Sequence, residues 1–243
     1  MNSSFLRISS AERLNQNDPI SNFTVSVGND SILQKITMIA VKEVTIPNTQ
    51  YNIRSNYNNV LHLSSGDFVL PAGQYSASSL INALNDLQTA VEFSENPLTY
   101  KIEVKSGSGS SIVGGNYSVI KSLGGENTYG IVLTSTNLSF SKLPDLTGSR
   151  NYYVGSASLS DGNSMISPTL PKMPIIAVVP NVANFGQITY YNSNEQKLDE
   201  IYYSSRNQGK NITSIDLKLF NLDASAVDLN GLDWSILLKV YYN

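Results

Sequence analysis

The sequence predicts an all-β protein: a single jelly-roll β-sandwich with one short helix and a loop-rich insertion. About ten short stretches alternate apolar and polar residues, Gly, Pro and Asn turns separate them, and one stretch alone has the helical period. Of the 243 residues, 41% are hydrophobic and only 14% are charged, so a large core can form beneath a neutral, polar surface. No fixed repeat of about 20–50 residues is visible, which argues against a propeller or solenoid.

The predicted strands follow the two-residue period of a half-buried sheet. Ile215, Leu217 and Leu219 alternate with polar residues, and a longer alternation runs from Trp234 to Tyr242 after the Asn230-Gly231 turn. Strands are predicted at residues 22–27, 32–46, 60–63, 68–70, 100–104, 131–134, 152–159, 175–180, 187–191, 198–203, 214–219 and 234–242.

One helix is predicted after the turn at Pro71–Gly73, with Ser76 as its N-cap. Its apolar stripe follows helical spacing and consists of Ala77, Leu80, Ile81, Leu84 and Leu87.

Residues 1–20 are polar, end in Asn-Asp-Pro, and are predicted to form an N-terminal arm. Residues 21–243 are predicted to form the jelly-roll domain. Within it, residues 106–160 are a candidate surface insertion, because they begin with a Gly/Ser-rich stretch.

The residue types argue against catalysis. The chain has no cysteine, which excludes disulfides, thiolate zinc sites and thiol nucleophiles. Its one histidine, His62, lies in the alternating stretch Val60–Leu63 and is predicted to face solvent. No nucleophile elbow, phosphate loop or EF-hand pattern is present. We therefore predict no enzyme activity, no catalytic or metal-binding residues and no cofactor.

The carboxylates are scattered beside turn residues and are predicted to support turns rather than to form a glycosidase pair, although sequence spacing does not exclude such a pair. They are Asp161, Asp223, Asp228 and Asp233.

Four pairs of adjacent tyrosines are predicted to place one ring in the core and one on a surface, because neighbouring strand residues point to opposite faces. The pairs are at 152–153, 190–191, 202–203 and 241–242.

The net charge of −3 and the lack of a Lys/Arg cluster give no signal for nucleic-acid binding. No transmembrane segment is predicted, because the longest apolar stretches, such as Ile175–Val179, are far too short to span a bilayer.

Several segments, in their order along the chain, resemble the penton and minor capsid proteins of virophages, Polinton-like elements and giant DNA viruses. No single segment is diagnostic, and the order is the stronger signal. The resemblance covers most of the chain except 106–130, and its segments are Ser9–Asn15, Asp18–Val25, Val44–Ile53 with Asn58-Asn59, Leu70–Ser76 with Leu80 and Leu84-Asn85, Leu146–Gly148, Tyr152–Val154 and Val227–Leu238.

The resemblance implies a structural capsid protein of the virion, assembled in the host cytoplasm. It implies homopentamers at icosahedral vertices and contacts with the major capsid protein. A host surface receptor is a further candidate partner, and the sequence leaves open whether the outer loops bind it. The alternative is a carbohydrate- or receptor-binding β-sandwich of the fibre-head type, and a glycan hydrolase is a third hypothesis.

Overall fold

The computed structural model describes residues 2–28, 36–106, 110–126, 131–132, 138–160, 164–167, 170–193, 201–202 and 212–242. The chain forms two compact units: unit 1 comprises Met1–Gln50 and Ser149–Asn243, and unit 2 comprises Tyr51–Gly148. The single domain predicted over residues 21–243 differs from this arrangement, because unit 2 has a hydrophobic core of its own.

The described strands, in chain order, are β1 (Asn2–Ser9), β2 (Asn22–Ser26), β3 (Ile36–Pro47), β4 (Val60–Leu63), β5 (Gly66–Val69), β6 (Glu92–Glu95), β7 (Ile102–Lys105), β8 (Ser111–Ile112), β9 (Ile131–Val132), β10 (Leu138–Ser139), β11 (Asn151–Gly155), β12 (Ser164–Ser167), β13 (Leu170–Pro180), β14 (Ile188–Asn192), β15 (Ile201–Tyr202), β16 (Ser214–Phe220) and β17 (Ser235–Tyr242). The helix α1 spans Ala77–Leu87. All but two residues of the strand predicted at 198–203 lie outside the described residues.

Unit 1 is a jelly roll built from two antiparallel sheets. The first sheet has the order β1-β17-β3-β14, with β15 also paired to β3, and the second has the order β12-β13-β11-β16-β2. Without the short strands β12 and β15, eight strands remain. When these eight strands are numbered by their order along the chain, the first sheet has the order first-eighth-third-sixth. The second sheet has the order fifth-fourth-seventh-second. This is the double Greek-key order of a jelly roll, so the predicted fold class is confirmed.

The core of unit 1 lies between the two sheets, and every long strand contributes alternate side chains to it. On β17, for example, Ile236, Leu238 and Val240 are buried. Trp234 closes one end of the core. Its ring meets Phe23 edge-on at a centroid distance of 5.7 Å, and its indole Nε1 donates a hydrogen bond to the Ile20 carbonyl at 2.9 Å.

The prediction of an N-terminal arm over residues 1–20 is wrong for the first half of that range. Residues 2–9 form β1, which pairs along its whole length with β17. Leu6 packs against the core and Ile8 lies within it, while Phe5 and Arg7 point outward. The exposed Phe5 hides the inward alternation, so the segment does not have the sequence pattern of a half-buried strand.

Unit 2 contains a four-stranded sheet, β5-β4-β8-β9, and a three-stranded sheet, β10-β7-β6. The predicted helix is confirmed: Ser76 caps α1 by accepting a hydrogen bond from the Ser79 N–H at 3.2 Å. The buried side of α1 lies against β6, where the Asn85 amide exchanges two hydrogen bonds with the Phe93 backbone at 2.8 and 2.9 Å. The helix residues Leu80, Ile81 and Leu84 are buried in the core of unit 2.

The insertion lies elsewhere than predicted. Unit 2, residues 51–148, is inserted between β3 and β11 of the jelly roll, whereas the sequence suggested residues 106–160. The end of that predicted range, Asn151–Gly155, is strand β11 in the middle of the second sheet. Where the chain leaves and re-enters unit 1, Gln50 Nε2 donates a hydrogen bond to Ser149 Oγ at 2.8 Å and thereby holds the two ends together.

Candidate functional site

His62 does not face solvent as predicted; it is only 9% exposed. The loop after β8 covers its ring, because Gly115 packs so closely that an added Cβ there would overlap the imidazole. Nδ1 lies 2.7 Å from Asp67 Oδ1, and Nε2 lies 2.7 Å from the Asn116 carbonyl oxygen. Both ring nitrogens are thus engaged by protein oxygens, and His62 connects β5 to the loop after β8.

Two of the carboxylates predicted to support turns do so, Asp223 and Asp228, whereas Asp233 binds a residue distant in sequence. Asp223 accepts a hydrogen bond from the Ser225 N–H at 3.0 Å, and Asp228 accepts one from the Asn230 N–H at 2.9 Å. Asp233 accepts a 2.6 Å hydrogen bond from the Ser10 hydroxyl, and Asp161 lies outside the described residues. Within the described ranges, no group of three or more His, Cys, Asp or Glu side chains is placed to hold a metal ion.

The tyrosine pairs follow the predicted division in part. Tyr191 is fully buried and Tyr190 is exposed, as predicted, and both rings of the 241–242 pair are half-buried. The prediction is wrong for Tyr152 and Tyr153, which are both buried, because the outer face of the second sheet carries its own small cluster with Ile175 and Phe220. The side chains of the 202–203 pair are outside the described part of the chain.

The hydroxyl of Tyr152 belongs to a polar network at one end of the sandwich. It donates a hydrogen bond to Asn48 Oδ1 at 2.8 Å and accepts one from Asn181 Nδ2 at 3.2 Å. Burial raises the pKa of Tyr152 to about 12. The network satisfies polar groups that the closure of the sandwich removes from water, so its role is structural.

The carboxylate of Asp216 on β16 accepts hydrogen bonds from the loop that follows β11 and fixes that loop in place. Burial by itself would raise the pKa of Asp216. Hydrogen bonds from the Ser158 hydroxyl and from the backbone N–H groups of Ala157 and Ser158 outweigh burial and hold this pKa below its usual value of 3.8. The two N–H groups lie 2.9 and 2.7 Å from the carboxylate oxygens.

We expect Asp216→Asn to lower the free energy of unfolding of unit 1 by about 2 kcal/mol at neutral pH, because an amide replaces a charged acceptor. Since the folded-state pKa is the lower one, the carboxylate stabilises the fold above pH 3.8, and this contribution is lost as the pH falls through the folded-state pKa. Urea unfolding between pH 2 and 7 measures both effects. Asp86→Asn, at an exposed position of α1, is the control and should cost at most about 0.5 kcal/mol. Equal stability of the wild type and Asp216→Asn would contradict the assignment.

The outer face of the first sheet carries an exposed patch on β1 and β17, called here the aromatic face. Phe5 is 64% exposed. Lys239, directly opposite Phe5 on β17, places its Nζ 5.9 Å from the Phe5 ring centroid and 4.9 Å from that of Tyr241. Arg7 and Leu237 continue the same face. The patch therefore combines apolar rings with two cations.

A groove lies at one end of unit 1, called here the end groove, with a volume of about 250 Å³. One wall is formed by 19–21 and the other by 226–231. Its lining residues are Pro19, Ile20, Ser21, Ala226, Val227, Asp228, Leu229 and Gly231. Asp228 is the one charged residue in this lining, and Asp18 directly precedes the first wall.

Unit 2 exposes a rigid apolar turn between β6 and β7. Asn96 closes it: its Oδ1 accepts hydrogen bonds from the N–H groups of Leu98 and Thr99 at 3.0 Å each. The Tyr100 N–H binds the Asn96 carbonyl at 2.8 Å, and Tyr100 adopts a left-handed φ of 56°. Leu98 is 89% exposed and Tyr100 is 64% exposed, so a preformed turn presents two apolar side chains to solvent.

No helix in the described residues is both long and apolar enough to cross a bilayer.

Comparisons with known proteins return structural similarity only. No protein-family model and no curated protein sequence matches the chain. Among solved structures, the chain is similar to the crystal structure of the selenomethionine-labelled mavirus penton protein, with a TM-score of 0.49 and 11% identity over 100% of both chains. It is also similar to a chain in the 3.5 Å cryo-EM structure of the Sputnik virophage, with a TM-score of 0.45 and 11% identity, covering 100% of this chain and 98% of the other. A likeness of this degree assigns no function.

Proposed function

We propose that the chain is a structural capsid protein that forms homopentamers at the vertices of an icosahedral shell. The main support is the eight-strand jelly roll of unit 1, together with the segments that resemble virophage capsid proteins and follow one another in the same order along the chain. The fold alone supports many functions, and viral capsids are one of its principal uses.

The resembling segments occupy positions that define the fold. Val44–Ile53 covers the end of β3 and the passage into unit 2, where Gln50 is anchored. Leu70–Ser76 leads into α1 and ends at its cap. Val227–Leu238 contains the final turn and the first half of β17. These three segments therefore lie at strand ends and at the helix cap, which supports the proposal.

The surface also suits assembly. Only 14% of residues are charged, so extensive protein–protein burial desolvates few charges. Unit 1 exposes several large apolar side chains at its strands and turns: Phe5, Leu14, Val182, Ile188, Leu222 and Leu232. In this proposal, they face neighbouring copies or the major capsid protein, and the protein resides in the virion after assembly in the host cytoplasm.

Light scattering on the size-fractionated protein over a concentration series tests the proposal. We expect a particle of five times the 26.5 kDa chain mass. A trimer would favour the fibre-head alternative. A chain that stays monomeric at the highest concentration would contradict self-assembly into pentamers.

A second candidate, receptor or glycan binding by unit 2, is favoured by its preformed Leu98–Tyr100 turn. Rigid, exposed aromatic side chains provide contact area at a small entropic cost. Glycan-array and cell-binding assays of the wild type beside a Leu98→Ser, Tyr100→Ser variant test it. Loss of binding in the variant, with an unchanged oligomeric state, supports this role, and equal binding by both proteins contradicts it.

A further inference from the structure

We propose that copies of this chain associate head to tail, with Phe5 of one copy seated in the end groove of the next. The inference rests on the proposed homo-oligomer and identifies its interface. Both surfaces belong to unit 1, and each lies on a different side of the jelly roll: the aromatic face on the first sheet, the end groove beyond the strand ends.

Phe5 has the properties of an anchor residue. It lies in the middle of the edge strand β1, where its neighbours across the strand pair hold it in place. Its ring is largely exposed, although aromatic side chains gain most from burial. Anchors of this kind dominate interface energetics when they fill a pocket on the partner.

The end groove is preformed. The first wall is fixed by the hydrogen bond from Trp234 Nε1 to the Ile20 carbonyl at 2.9 Å. The second wall is fixed by the Asp228 N–H, which donates to Gln50 Oε1 at 3.2 Å. Binding to a pocket that needs no rearrangement carries a smaller free-energy cost of ordering.

The two surfaces are complementary in charge. Phe5 is flanked by the cations Arg7 and Lys239, and the end groove by the carboxylates Asp18 and Asp228. Within the described part of the chain, none of these four has an ion-pair partner. Electrostatic complementarity of this kind selects the partner and fixes its orientation.

Charge also decides between symmetries. If two aromatic faces met about a twofold axis, the Lys239 and Arg7 cations of both copies would be brought together, and like charges across an interface are costly. Contact between two different surfaces is heterologous, and such contacts close into rings when the rotation per copy allows it. This geometry is the one that a cyclic capsomer needs.

Disulfide cross-linking tests the contact without background, because the chain contains no cysteine. In the variant Ser3→Cys, Ala226→Cys, Phe5 is kept, and both thiols lie at exposed positions: one on the face of β1 that carries Phe5, the other on the end groove. We expect mild oxidation to give a ladder of covalent oligomers on a non-reducing gel, ending at the pentamer. Each single-cysteine variant should remain a single-chain band, and thermal unfolding should confirm that all variants are folded.

The outcomes separate the interface from the proposed function. A wild-type pentamer with no ladder in the double variant would overturn the interface while leaving the pentamer. A covalent dimer from Ser3→Cys alone would overturn it in favour of a twofold contact. A wild type that is monomeric in light scattering would overturn both.

Charge reversal provides an independent readout. Lys239→Glu is expected to weaken the assembly roughly tenfold, because it places a carboxylate opposite Asp228 of the next copy. Adding Asp228→Lys should restore most of the loss. If Asp228→Lys deepens the loss instead, or if Lys239→Glu assembles as the wild type does, the proposed pairing of these surfaces is overturned.

Discussion

Trp234→Ala is expected to lower the free energy of unfolding of unit 1 by about 3–5 kcal/mol, the range for removing a large aromatic side chain from a packed core. The indole is 2% exposed and meets Phe23 edge-on, so its removal leaves a cavity between the sheets. It also leaves the Ile20 carbonyl without its donor at one wall of the end groove. Urea unfolding followed by far-UV circular dichroism measures the change, since the variant loses the one tryptophan of the chain.

Trp234→Phe is the matched control. It keeps an aromatic ring in the core and removes the N–H donor, so we expect a loss of about 1–2 kcal/mol. If Trp234→Ala lowered the free energy of unfolding no more than Trp234→Phe does, the result would contradict the packing of the indole ring at the end of the unit 1 core.

Gly124→Ala is expected to destabilise unit 2 by about 2–5 kcal/mol. Gly124 adopts a left-handed φ of 89°, which costs an L-residue about 1–2 kcal/mol. In addition, a Cβ there would overlap the backbone carbonyl of Lys142, which cannot rotate away. The Lys142 N–H binds the Gly124 carbonyl at 3.1 Å, so the two backbones are tied, and the overlap adds about 1–3 kcal/mol.

Gly148→Ala separates the two effects in the same unit. Its φ of 72° is also left-handed, but the nearest atom to an added Cβ is Asn52 Cβ at 4.0 Å. We therefore expect a loss of only about 1–2 kcal/mol, from backbone strain alone. Thermal unfolding of both variants gives the comparison. Equal losses would show that the approach to Lys142 is not a close contact.

The strands and the helix were predictable where one face packs on a core and the other meets solvent. The alternation in β2, β16 and β17 and the stripe of α1 reflect this, and their bounds agree with the structure within about two residues. The strand β1 was missed because Phe5 points outward beside the inward Leu6 and Ile8. An outward aromatic residue interrupts the alternation of apolar and polar residues by which a half-buried strand is recognised. In this protein, Phe5 belongs to the surface proposed for assembly.

The division into two units was not predictable from composition. Gly- and Ser-rich stretches indicated the region around residues 106–130, but Gly124 and its neighbours form tight turns inside unit 2. The true boundaries lie where Gln50 and Asn52 bind backbone and side chains of residues distant in sequence. Such long-range hydrogen bonds leave no local pattern. The burial of His62 has the same origin, because it depends on Gly115 and Asn116, two loop residues that are distant in sequence.

Electron cryo-microscopy of the purified oligomer tests whether the chain assembles with fivefold symmetry. We expect class averages with fivefold rotational symmetry and a reconstruction in which β1 of each copy faces the end groove of the next. Rings of another symmetry, or single separated chains at the concentrations used for imaging, would contradict it.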